Sequence, residues 1–112
     1  MAKTVLFAGS FDPITKGHED IALRAAKLFD TVVVAVMTNG NKNYYFSERD
    51  RLDFCTGTFS GAGNIHVMSY HGLLASLYQE TGACAIVKGV RNVTDYPLRS
   101  AFFASSRKVL SI

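Results

Sequence analysis

The densest set of chemically useful residues lies in Gly9-Ser10-Phe11-Asp12-Pro13-Ile14-Thr15-Lys16-Gly17-His18. The segment follows a short apolar run, Thr4–Ala8, and precedes a stretch with helical spacing. A loop between a strand and a helix offers two assets to an anion. Glycines such as Gly9 and Gly17 let ligand oxygens approach the backbone closely. The helix N-terminus adds unpaired N–H groups and a partial positive charge, so it favours phosphate. His18 falls on that first turn, where its imidazole can donate to a phosphate oxygen. Thr15 can hold the loop, or the imidazole, in place. Taken alone, Thr15-Lys16-Gly17-His18 reads first as an ordinary helix cap with a surface histidine.

Further cations follow other apolar runs. Lys42 comes after the second, and Lys88-Gly89-Val90-Arg91 after the fourth. A loop lysine neutralises phosphate as a mobile point charge. Two cations flanking a glycine can hold a phosphate or polyphosphate. Singly, each is also a solvated lysine or a basic turn. Asp12 and Asp95 read as loop and capping residues rather than general bases, because neither is paired with a second carboxylate. Tyr44-Tyr45-Phe46 reads as a cover for the core. There is no Gly-x-Gly-x-x-Gly and no Gly-Lys-Ser/Thr, which excludes a dinucleotide fingerprint and a P-loop. No nucleophile with a neighbouring base stands out. Positioning and charge stabilisation therefore suit the chain better than covalent catalysis.

The elements that must position these residues follow from hydrophobic patterning. Thr4–Ala8, Thr31–Met37, Ile65–Ser69 and Ala83–Lys88 are short apolar runs, predicted as buried strands. Ile21, Ala22, Ala25, Ala26, Leu28 and Phe29 recur at helical spacing, predicting a helix from His18 to near Asp30. Ser47 is a candidate N-cap for a second helix through Leu52, Phe54 and Cys55, and Leu73–Thr81 is a third. The order βαβαβαβ implies a doubly wound α/β domain with a parallel, Rossmann-like sheet. Ligands of such sheets bind at the strands' carboxyl ends. His18, Lys42, Lys88 and Arg91 share that rim, which suits a ligand carrying several phosphates.

Composition limits the alternatives. The chain has 112 residues, 12 Lys+Arg and 9 Asp+Glu, a net charge of +3. Arg99, Arg107 and Lys108 account for the excess, and the chain up to Tyr96 is balanced. With no basic stripe, a general grip on nucleic acid is not expected. No apolar run approaches the roughly 20 residues of a membrane span, and the N-terminus does not read as a signal peptide. Cys55 and Cys84 lie far apart and are expected to be reduced, buried and cytoplasmic.

The segment Gly9–Ile21 resembles the first motif of bacterial phosphopantetheine adenylyltransferases. Its Thr15-x-Gly17-His18 core is similar to the (His/Thr)-x-Gly-His motif of the wider nucleotidyltransferase superfamily. Lys42 and Lys88-Gly89-Val90-Arg91-Asn92-Val93-Thr94-Asp95-Tyr96 also match that family's spacing. The resemblance covers Met1 to Tyr96. It implies adenylyl transfer from ATP to 4′-phosphopantetheine, giving dephospho-coenzyme A and pyrophosphate, a step of coenzyme A biosynthesis. It further implies that His18 stabilises the transition state and that Lys42 holds the acceptor phosphate. Ser10, Phe11, His18, Gly89, Val90 and Arg91 would contact ATP. Ser10, Lys42, Leu74 and Lys88 would contact the second substrate. No protein residue is implied as a metal ligand, so Mg²⁺ would ride on the ATP phosphates. A homohexamer is the assembly the family implies.

The pattern departs from the family at Pro97. The family has an acidic, ATP-contacting residue where Arg99 stands, and then a fifth strand, a Ser-rich loop and C-terminal helices. Residues 97–112 are therefore expected to form a divergent basic tail after a 1–96 domain. The sheet would end at its fourth strand, with an exposed edge. Two other functions stay open at this stage. One is a related nucleotidyltransferase with another acceptor. The other is an inactive fragment that binds adenine nucleotide or coenzyme A.

Overall fold

A computed structural model describes residues 3–40, 43–88 and 109–111, and among these residues eight elements follow one another. They are β1 (Thr4–Gly9), α1 (Lys16–Leu28), β2 (Thr31–Thr38), α2 (Glu48–Thr58), β3 (Ile65–His71), α3 (Leu74–Thr81), β4 (Ala85–Lys88) and β5 (Val109–Ser111). All pairings are parallel, in the order β3-β2-β1-β4-β5. The doubly wound α/β architecture expected from the sequence is the one observed.

Strand alternation builds two cores. Val5, Phe7, Val32, Val34, Val36, Ala85 and Val87 face α1 and α2, meeting Ala22, Ala25, Cys55 and Phe59. Leu6, Ala35 and Ile86 face the other way and pack around Leu77 of α3. Chirality explains the division. The chain steps outward from β1 to β2 to β3, then crosses back past β1 to reach β4. Right-handed crossovers in opposite directions put their helices on opposite faces. The reversal falls between β1 and β4, the switch point beside which doubly wound sheets bind ligands.

Local chemistry sets the helix ends. Thr15 caps α1, accepting from the His18 N–H, so the helix begins at Lys16 rather than at His18. Ser47 caps α2 as expected, with Oγ accepting from the Asp50 N–H at 3.1 Å. Gly82 ends α3 at φ 68°, a left-handed position that costs glycine no Cβ clash. β2 and β3 run longer than predicted, to Thr38 and His71, because their ends pair with each other. β4 starts later, at Ala85, and Cys84 donates its backbone N–H to Thr4 instead.

Two expectations need correction here. The sheet does not end at β4: Val109–Ser111 pairs with Ile86–Lys88 and occupies that edge. Three residues suffice, because strand pairing draws on backbone groups that every non-proline residue carries. Of the two reduced cysteines, Cys55 is buried but Cys84 is only half-buried.

Candidate active site

The carboxyl end of β1 carries the first motif. Gly9 closes the strand, and Phe11 follows at φ 46°, an uncommon conformation for a non-glycine residue. Phe11 is 3% exposed. Its ring meets Phe7 edge-on at 5.3 Å and His18 edge-on at 5.1 Å. Its side chain thus belongs to the core, and what Phe11 offers a ligand is backbone. The space beside Gly9 is also filled differently from the expectation. A Cβ there would sit 3.5 Å from the Phe11 ring, so this side of the glycine faces the aromatic ring rather than a ligand.

His18 is the third residue of α1 and half-buried. Nδ1 accepts from the Thr15 backbone N–H at 3.0 Å, and the Thr15 hydroxyl lies 3.1 Å away. The Thr15 Oγ1 accepts in turn from the His18 N–H at 3.3 Å, completing a capping box. The two readings of Thr15–His18 therefore coincide: the cap that starts the helix also orients the imidazole. A backbone N–H can only donate, so Nδ1 is an acceptor and the neutral ring carries its proton on Nε2.

Asp12 is a bracing residue. Oδ2 accepts from the Tyr45 N–H at 2.6 Å and Oδ1 from the Phe46 N–H at 2.8 Å. Both oxygens thus tie the β1 end to the segment before α2. That segment corrects another expectation. Tyr45 is 92% exposed and covers no core, while Phe46 is exposed and stacks edge-on against Phe54 at 5.2 Å. Only Tyr44 turns inward, with its hydroxyl oxygen accepting from the Asn39 N–H at 2.7 Å.

The remaining predicted site residues are distributed along the rim. The Lys88 backbone ends β4, directly beside β1 in the sheet. Leu74 opens α3 just past the end of β3 and packs against the α3-side core. β3 lies two strands from β1, roughly 10 Å across the sheet. Ser10 is half-buried between these points. Lys42, Gly89, Val90, Arg91 and Asp95 lie outside the described residues. Among the described residues no group of three or more His, Cys, Asp or Glu is gathered for a metal ion.

Sequence reasoning missed Arg51, the one buried charged side chain among the described residues. Its signal was spacing. Arg51, Cys55 and Phe59 recur every four residues, which puts the guanidinium on the inward face of α2. The same residues bear on Cys55. Burial pushes its thiol from the ordinary 9.0 up to about 11, and the Arg51 charge offsets part of that rise. At the end of β3, His71 pairs with Glu48 at 2.6 Å. Nearby, Tyr70 donates its hydroxyl to Glu80 at 2.5 Å, and this hydrogen bond, more than burial, raises the phenol's pKa.

A parallel sheet with its switch point at β1, and an oriented histidine on the first turn beyond, defines a doubly wound α/β domain with its candidate ligand site at that strand end. The cytidylyltransferase-like family model matches residues 6–109. A phosphopantetheine adenylyltransferase of Flavobacterium psychrophilum is 38% identical over 110 residues, spanning 98% of this chain and 73% of that protein. The Methylobacillus flagellatus protein of the same name is 46% identical over 92 residues, covering 82% of this chain and 58% of its own length. In fold, a lipopolysaccharide core biosynthesis protein from Thermoplasma volcanium superimposes with a TM-score of 0.71 at 20% identity, covering 100% of this chain and 97% of that one. The chain belongs to the cytidylyltransferase-like family, and within it to the phosphopantetheine adenylyltransferases.

Proposed function

We propose that this chain transfers an adenylyl group from ATP to 4′-phosphopantetheine. A phosphate oxygen of the acceptor attacks the α-phosphorus of ATP, and the bond from that phosphorus to the bridging oxygen of the β-phosphate breaks. Dephospho-coenzyme A and pyrophosphate leave. The observation that carries this reading is the Thr15–His18 pairing at the carboxyl end of β1. It presents an Nε2–H donor beside a helix N-terminus, where an α-phosphate would gain negative charge in the transition state. The names of the relatives supply the acceptor.

Within this reading, Ser10 and the Phe11 backbone meet the ATP phosphates, together with Gly89, Val90 and Arg91. Lys42 neutralises the acceptor phosphate between the two substrates, Lys88 contacts the acceptor, and Leu74 lines its pantetheine arm. Catalysis is by positioning and charge stabilisation, with no covalent intermediate. Among the described residues no group of three or more His, Cys, Asp or Glu is gathered near β1 to hold a divalent cation, and Asp12 is committed to bracing backbone N–H groups. Mg²⁺ is proposed to arrive with the triphosphate, held by phosphate oxygens and water. The reading also carries a cytoplasmic setting and a homohexameric assembly. Among the described residues no helix is long and apolar enough to cross a membrane.

Pyrophosphate release from ATP, 4′-phosphopantetheine and Mg²⁺ tests the reading. Release that requires the acceptor is the expected result. A folded sample with no release above background, or with a clear preference for another acceptor, overturns it.

A further inference from the structure

Arg51 is 1% exposed, and its partners are unusual for a buried cation. Nε donates to the Phe46 carbonyl at 3.1 Å. One terminal nitrogen donates to the Ser10 and Met37 carbonyls, each at 3.2 Å, and the other to Thr38 Oγ1 at 3.0 Å. The guanidinium carbon lies 3.9 Å from the Tyr44 ring centroid. Among the described residues no carboxylate forms an ion pair with it. Burying a charge against neutral oxygens alone is costly, and apolar residues usually fill such a site more stably. Core packing therefore does not account for this residue.

Its acceptors do. They come from the carboxyl end of β1, the carboxyl end of β2 and the segment leading into α2. Asp12 makes the complementary link, accepting the Phe46 N–H whose own carbonyl Arg51 holds. Ser10, Asp12, Phe46 and Arg51 thus close a ring that locks two strand-end loops together. We propose that Arg51 is a positioning residue for phosphoryl chemistry, holding the Ser10 end of the first motif at a set distance from the end of β2. The inference rests on the function proposed above. There, two anionic substrates must meet in line, and misplacement by about 1 Å costs roughly 100-fold in rate.

Arg51→Lys keeps the charge but loses the planar fork that reaches all three segments. Its far-UV circular dichroism and thermal midpoint report folding. In the folded variant, kcat is expected to fall about 10- to 100-fold while KM for ATP changes only a few-fold. Wild-type kcat in folded Arg51→Lys overturns the proposal. If that variant does not fold, Thr38→Val removes a single acceptor, and a several-fold loss of kcat with unchanged KM is expected, whereas unchanged kcat overturns the proposal. Should the wild type transfer no adenylyl group, the proposed function has failed by itself. Amide hydrogen exchange then reads the lock: Arg51→Lys, or Thr38→Val in its place, should lose protection at the Tyr45 and Phe46 N–H groups relative to the sheet. Unchanged protection there overturns it.

Discussion

The backbone N–H of Thr15 donates to Nδ1 of His18 at 3.0 Å, so the residue that caps α1 also decides which imidazole nitrogen carries the proton. The edge-on contact with Phe11 limits the ring from the core side. Held from both sides, the imidazole is preorganised; under the proposed function it would need little reorganisation to meet developing charge, the condition under which one donor is worth most.

Replacing His18 with Ala removes that donor and leaves the helix N-terminus in place. In the pyrophosphate-release assay kcat should drop about 10²- to 10³-fold, the usual cost of losing a transition-state donor. ATP affinity, measured by calorimetry, should change only a few-fold. A variant with near-wild-type turnover would remove His18 from the chemistry.

Thr15→Ala separates the two jobs of the cap. The hydroxyl that accepts the His18 N–H is lost, while the Thr15 N–H that donates to Nδ1 remains. Stability in chemical denaturation should fall by about 0.5–2 kcal/mol, the range for losing an N-cap side chain. The ¹⁵N shifts of the His18 ring should still report the proton on Nε2. A switch to the other tautomer would mean that the hydroxyl, and not the backbone, sets the ring.

Much of this arrangement was legible in the chain, for identifiable reasons. The valine-rich run Thr31–Met37 admits only a buried strand, and Ser47 sits where a helix needs an oxygen acceptor. The alternation of strands and helices implied a parallel sheet, but the position of the switch point between β1 and β4 did not follow from local pattern. It depends on which way each crossover steps. Arg51 was overlooked because charge is usually read as exposure, although its spacing to Cys55 and Phe59 marked the buried face. Tyr45 was misjudged in the opposite sense. An aromatic residue suggests burial, yet Asp12 holds its backbone and leaves its ring outside. The fifth strand could not be anticipated from a three-residue segment with no periodicity of its own.

Leu77 is the one fully buried residue of α3 and anchors that helix on its face of the sheet against Leu6, Ala35 and Ile86. Leu77→Ala should cost about 2–5 kcal/mol through lost burial and the cavity left behind. For a chain of this size that corresponds to a fall in Tm of roughly 10 °C or more. A shift under about 2 °C would mean that α3 contributes little to the cooperative core.

Cys55 and Cys84 should differ in reactivity and in their effect on stability. Cys55 is fully buried with its thiol pushed up to about 11, while Cys84 is half-buried. With a thiol-specific disulfide reagent at pH 8, Cys84 should react first and Cys55 only as the protein unfolds. The linkage has a definite sign. In the unfolded chain Cys55 ionises near its ordinary 9.0, whereas in the folded chain it holds its proton up to about 11. Its contribution is therefore fully present below pH 9 and is lost as the pH rises through that window. Urea unfolding at pH 8 and pH 10.5 should show a larger loss of stability for the wild type than for Cys55→Ala, which has no thiol to titrate. Equal losses in the two proteins would show that burial does not hold the Cys55 proton in the folded state.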